Sequence, residues 1–115
     1  MTVLFLTADL MFASRAQMAA SRQGVQLVTV GEADKALEAC QQAEFARVLL
    51  DLTLPDIDPA ALVPQLRSVS HPPREIVAYA PHVHEARLAA AQQAGCDRVL
   101  TRGQFNSQLD TFFAP

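Results

Sequence analysis

Several side chains in this sequence have the type and spacing to do chemistry. Asp9 follows the apolar run Val3–Leu6, and Asp51 follows Val48-Leu49-Leu50. An acidic group at the end of such a run can accept a transferred group, hold a cation or cap a helix. Asp56 and Asp58 lie just beyond Asp51 and suit a turn and a helix cap. His82 and His84 form an H-x-H pair, and the third histidine, His71, is distant in sequence. A structural metal would need further ligands, so the pair reads as surface histidines at a helix start. Cys96 and Arg102 have the spacing of a thiolate and an arginine around a phosphate-cradling loop. That chemistry needs the intervening residues to curl, whereas here they run through an expected strand. An extended strand would hold the two about 20 Å apart, so the match is rejected. No glycine-rich loop follows the first apolar run, which leaves flavin or dinucleotide binding unsupported. No nucleophile–base pair stands out, and Asp51 has no evident catalytic partner. The sequence is not expected to be an enzyme.

The elements that must position these residues follow from pattern. Thr2–Leu6 reads as a strand, and Asp9 can cap a helix through about Arg22, ended by Gly24. Gln26–Val30 alternates and is valine-bearing, so it predicts a second strand. Ala33, Ala36, Leu37 and Cys40 recur at helical spacing, which predicts a helix over 32–44. Arg47–Leu52 is continuously apolar at its centre, as befits a strand covered on both faces. Asp58-Pro59 opens a third helix, which Pro64 should distort or delay. His71-Pro72-Pro73 is a turn. Ile76–Ala80 is a fourth strand, and His84–Ala94 is an alanine-rich helix ended by Gly95. Val99–Thr101 is a fifth strand. Asn106 or Ser107 is expected to cap a last helix ending at Phe113.

Five strand–helix units in succession predict one α/β domain over residues 1–115. Its sheet should be doubly wound, five-stranded and parallel, with helices on both faces. In such sheets ligands gather at the carboxyl ends of the strands. The positions to inspect are therefore Thr7, Ala8 and Asp9; Asp51 and Thr53; Ala80; and Arg102.

The totals exclude several classes. Half of the 115 residues are hydrophobic and 18% are charged, which is too apolar for a disordered chain. A chain of this size hides roughly 60–70% of its unfolded surface on folding. The net charge is −3, and the nine basic residues do not cluster, so no nucleic-acid partner is expected. No apolar run approaches the roughly 20 residues that span a bilayer, so no membrane association is expected. No leader is evident after Met1, which leads to the expectation of a cytoplasmic location. Cys40 and Cys96 are expected to be reduced core residues.

The stretch Val48-Leu49-Leu50-Asp51-Leu52-Thr53-Leu54-Pro55-Asp56-Ile57-Asp58 resembles the third strand and following loop of response-regulator receiver domains. In that family an aspartate at the strand end is phosphorylated, and a proline four residues later shapes the loop. Leu6-Thr7-Ala8-Asp9-Leu10-Met11-Phe12 resembles the family's first strand and turn. The run from Ala91 through Ala94-Gly95 to Thr101 resembles its alanine-glycine signature. The resemblance implies a flavodoxin-like sheet of order 2-1-3-4-5, with Asp51 as the candidate phospho-acceptor.

The sequence departs from that pattern where its chemistry lies. Two acidic residues that hold Mg²⁺ are replaced by Thr7 and Ala8, leaving Asp9 and Asp51 as weak metal candidates. The Thr or Ser expected at the end of the fourth strand is read as Ala80. Arg102-Gly103 stand for the usual Lys-Pro, and Val99 takes the aromatic switch position. Phosphoryl transfer needs its charge neutralised by metal and fixed cations, so these changes imply a stand-alone pseudo-receiver that signals by binding a protein. A histidine kinase or a regulatory protein is the implied partner, and a homodimer is a further expectation. No cofactor is expected unless Mg²⁺ binds weakly. A standing Asp51–Arg102 ion pair is expected. The alternatives are a true phospho-acceptor with an altered metal site, or a small-molecule binder or enzyme using the strand-end crevice. The last would require an apolar pocket with convergent polar groups.

Overall fold

A computed structural model describes residues 1–115 in full. Its strands are β1 (Thr2–Leu6), β2 (Gln26–Val30), β3 (Arg47–Asp51), β4 (Glu75–Ala80) and β5 (Arg98–Thr101). They are joined by α1 (Leu10–Arg22), α2 (Ala33–Gln42), α3 (Pro59–Arg67) and α4 (Glu85–Gln93). After β5 come α5 (Arg102–Ser107) and a 3₁₀ turn, Leu109–Phe113. The five strands form one sheet in the order β2-β1-β3-β4-β5, every neighbouring pair parallel.

Alternation along the strands divides the core in two. Leu4, Leu6, Val48, Leu50, Ile76, Ala78 and Ala80 point to one face, where residues of α2, α3 and α4 cover them. Val3, Phe5, Leu49, Val77 and Tyr79 point to the other, under α1, α5 and the terminal turn. Burial on both faces is why these strands read as unbroken apolar runs. A slip of one residue would exchange the two sets, so the register is strongly fixed.

Local signals set most of the ends. The Asp9 carboxylate accepts from the Met11 and Phe12 amides at the start of α1, and Asp58 accepts from Ala60 N at the start of α3. Gly24 and Gly95 have φ of 67° and 91°, the left-handed geometry that stops a helix.

Some expectations change. Strand β3 stops at Asp51, one residue before Leu52. Pro64 neither delays nor breaks α3, which begins at Pro59 directly after its cap. It removes the donor for the Ala60 carbonyl, but both residues face solvent, where water can replace it. The last helix begins earlier than Asn106 or Ser107 would place it. Thr101 caps it by accepting from Gln104 N, and the Gln104 side chain accepts from Thr101 N. This reciprocal capping box puts Arg102 at the first position of α5. Phe112 and Phe113 end in the 3₁₀ turn and, like Phe105, are buried core residues.

Candidate functional site

Asp51 closes the central strand and is 3% exposed. Three donors converge on its carboxylate. Thr7 donates its hydroxyl to Oδ2 at 2.7 Å. Thr53 donates its backbone N–H at 2.9 Å and its hydroxyl at 2.6 Å, both to Oδ1. Thr7 follows β1, which pairs directly with β3, so the topology brings a residue 44 positions away against Asp51. The Thr7 hydroxyl also accepts from Asp9 N at 3.0 Å. Each oxygen of the buried carboxylate is therefore met by an uncharged donor, which lowers the cost of burying the group.

The parallel register sets Tyr79, not Ala80, beside Asp51. Tyr79 shares its face with Leu49, whereas Ala80 points into the opposite core with Leu50 and Ala78. The expectation that Ala80 lines the site is corrected on this ground: side chains alternate along a strand, and Ala80 has the wrong parity. The Tyr79 ring stacks on Phe105 at 3.9 Å between centroids and meets Phe12 edge-on at 5.8 Å. Its hydroxyl is buried beside Thr7 and Asp51 and makes no well-formed hydrogen bond. Burial, then the Asp51 charge, push this phenol upward and keep it protonated.

Arg102 does not reach Asp51. It pairs with Asp9 Oδ2 at 2.9 Å and lies 4.7 Å above the Phe12 ring. The expected Asp51–Arg102 pair is thus corrected. Capping holds Arg102 in the first turn of α5, beside Asp9, a partly exposed carboxylate. Reaching Asp51 would require stripping water from the guanidinium in a dry site. Ala8 is exposed and contributes no polar side-chain group.

Other candidates stay apart. His82 is exposed, and His84 caps α4 without a side-chain hydrogen bond. No three His, Cys, Asp or Glu side chains gather at one place. Cys96 precedes β5 and Arg102 follows it, so they flank the strand. Burial pushes both Cys40 and Cys96 up to about 11, away from a reactive thiolate. A cleft beside the start of α5 is lined by Met11, Arg15, His82 and Arg102, among others, but not by Thr7, Asp51 or Tyr79.

Sequence reading missed two fixed contacts. Arg87 of α4 donates to the Leu52 and Leu54 carbonyls and ties down the loop after Asp51. Asp97 accepts from Ile76 N at 2.7 Å and from Arg67 at 3.1 Å. Burial raises the Asp97 carboxyl, but these donors together hold it below the ordinary carboxylate range. An acidic residue just before a strand is the one local signal for the second contact.

Comparison with known proteins bears on this geometry. No family model matches the chain. The response regulator from Hahella chejuensis superposes with a TM-score of 0.81 at 22% identity, over 97% of this chain and 91% of that one. The receiver domain of sensor histidine kinase PA1611 from Pseudomonas aeruginosa PAO1, solved with magnesium in its active-site cleft, gives 0.78 at 14% identity, over 97% and 96%.

The chain has the receiver fold.

A sequence relative, the sensor protein TorS of Escherichia coli (strain K12), is 41% identical over 66 residues, or 56% of this chain. The match spans 7% of that protein. Within the receiver fold, Asp51 occupies the carboxyl end of the central strand, and Thr7 and Tyr79 surround it. No helix is long and apolar enough to cross a membrane.

Proposed function

We propose that this chain is a pseudo-receiver in two-component signalling. It binds a protein partner, such as a histidine kinase or a regulatory protein, without aspartyl phosphorylation. The matches to a sensor protein and to the receiver of a sensor histidine kinase support that setting. The observation that carries the reading is the state of Asp51, which is buried and already engaged through both oxygens.

The residues present do not fit Mg²⁺. The ion takes near-octahedral hard oxygens and usually one or two carboxylates plus waters. The oxygens of Asp51 point at hydroxyls and an amide, and no cluster of three His, Cys, Asp or Glu side chains forms there. Asp9 is committed to the α1 amides and Arg102. The fixed cation that phosphoryl transfer uses is likewise turned away. Tyr79 stands beside Asp51 in register and fills that position with a buried aromatic ring.

The alternative, a phospho-acceptor with an altered metal site, is favoured by one feature, the placement of Asp51 at the end of the central strand. An amide NMR titration with Mg²⁺ and then beryllofluoride, an aspartyl-phosphate mimic, separates the two. The pseudo-receiver reading expects the amides around Asp51 and Thr53 to stay still. Shifts spreading from Asp51 at sub-millimolar reagent would establish the alternative.

A further inference from the structure

The sheet has two outer edges, and they are built differently. β5 is four residues long and opens on the charged Arg98. β2 is the five-residue run Gln26-Leu27-Val28-Thr29-Val30, with no charge, no proline and no break in its register with β1. Charged side chains, prolines and bulges keep an edge strand from pairing with another strand, and β2 has none of these guards. Gln26 and Thr29 are exposed, and Leu27, Val28 and Val30 are half-buried, so the flanking helices leave this edge open.

The hydrogen bonds of β2 fix which of its backbone groups are free. Gln26 donates its N–H to the Met1 carbonyl at 3.3 Å, and the Val30 carbonyl accepts from Thr7 N at 2.9 Å. Alternate residues of a strand turn their backbone groups the same way, so Val28 also faces β1. Leu27 and Thr29 therefore turn both N–H and C=O outward. Val25, just before the strand, has already given its N–H to the Ala20 carbonyl.

We infer that the β2 edge is the pairing surface for a second copy of this chain, joined antiparallel about a two-fold axis between the two Val28 residues. This register sets Leu27 opposite Thr29 of the second copy, and each such pair exchanges two N–H···O=C bonds. Every outward group of both strands is then satisfied within the strands. The two Val28 side chains meet as a close pair across the axis, a β-branched contact that favours pairing.

Charge selects a second copy as the occupant. The antiparallel arrangement brings the amino end of one β2, preceded by Arg22 and Gly24, against the carboxyl end of the other, followed by Gly31, Glu32 and Asp34. Arg22 holds only a loose, exposed contact with Asp110 at 4.0 Å, and Glu32 makes no side-chain bond in capping α2. The two-fold axis makes the opposite-charge contact twice, and the two glycines place no side chain in its way. The inference goes beyond the partner-binding reading and needs only the fold, so it is decided separately from the state of Asp51.

Sedimentation and amide hydrogen exchange on the full chain test it. The expected result is a dimer that forms as the concentration rises toward about 1 mM. With it the Leu27 and Thr29 amides gain about tenfold or more in protection, while Gln26, Val28 and Val30 are protected in monomer and dimer alike. Thr29→Pro removes an outward donor and should hold the chain monomeric, with protected Gln26 and Val30 amides reporting that it has folded. Arg22→Glu should weaken the dimer by up to about tenfold, and Glu32→Arg in the same chain should recover most of that affinity. Arg22 and Glu32 are both exposed, so this pair keeps the test decisive if the proline variant fails to fold. A chain still monomeric at about 1 mM, a dimer whose added protection lies on β5 or a helix, or no recovery on charge reversal would overturn the inference. So would a chain that stays monomeric while a capped synthetic Gln26–Val30 peptide protects Leu27 and Thr29, since the edge would then take a foreign strand.

Discussion

Strands β3 and β4 carry an acidic residue at each end of their ladder, and the two are held by different means. At the amino end Arg47 is paired with Glu75 in register. Glu75 takes Arg47 at 2.9 Å and Arg98 at 3.0 Å, and Arg47 also donates to the Phe112 and Ala114 carbonyls. These groups are partly exposed. At the carboxyl end Asp51 stands beside Tyr79, buried, with hydroxyl and amide donors and no cation. An ion pair near water tolerates loss of one contact, because water can replace it. A dry carboxylate depends on each donor. The end that resembles a signalling site is thus the one closed by uncharged groups over an aromatic floor.

The contrast is broken most severely through that floor. Phe105→Ala should cost about 3–5 kcal/mol, because its ring is fully buried and stacks on both Tyr79 and Phe112. Urea unfolding measures this, and a cost under about 1 kcal/mol would mean the floor is loosely packed. Thr7→Val should cost about 1–3 kcal/mol by leaving Asp51 Oδ2 without a donor. Thr7→Ser should recover most of that loss, which separates the hydroxyl from the lost shape.

Glu75→Gln, at the amino end, should cost less, about 1 kcal/mol. Added salt should shrink the difference between wild type and this variant, while leaving the Thr7→Val difference unchanged. Equal salt responses would erase the distinction between the two ends. Tyr79→Phe should leave stability unchanged or raise it by up to about 1 kcal/mol, since the hydroxyl is buried without a partner. A clear loss in a thermal melt would reveal a bond from that hydroxyl to Asp51 or Thr7.

The smallest effect concerns acid. The Asp97 carboxyl is held lower in the folded chain than in the unfolded one. Its stabilising contribution is therefore complete above the ordinary carboxylate range, near about pH 3.9, and is lost as pH falls through the lower folded value. Asp97→Asn should flatten the acid limb of a stability-against-pH curve. An unchanged acid limb would mean that Arg67 and Ile76 N do not favour the ionised form.

The sequence by itself determined the features that depend on near neighbours. The apolar runs named the strands, and their alternation with amphipathic segments named a parallel, doubly wound sheet. Asp9 and Asp58 bond to amides two or three residues away, so their capping was legible from local order. Gly24 and Gly95 ended helices because only their backbones accept that turn easily. The capping box of Thr101 and Gln104 is equally local, but it overlaps the end of the Val99–Thr101 strand pattern, and the later Asn106 and Ser107 are equally good cap types.

What surrounds Asp51 was decided by the tertiary structure. Thr7, a lost metal position by its type, is a hydroxyl donor to a residue 44 positions away. Arg102 had two aspartates within the range of the strand ends, and the one it meets lies 93 positions away in sequence. Tyr79 rather than Ala80 faces the carboxylate because strand parity and register fix it, and a sequence count across variable loops cannot resolve one residue. Such contacts depend on which strand ends the sheet brings together and on which groups can lose water there. Neither quantity is carried by the order of residues alone.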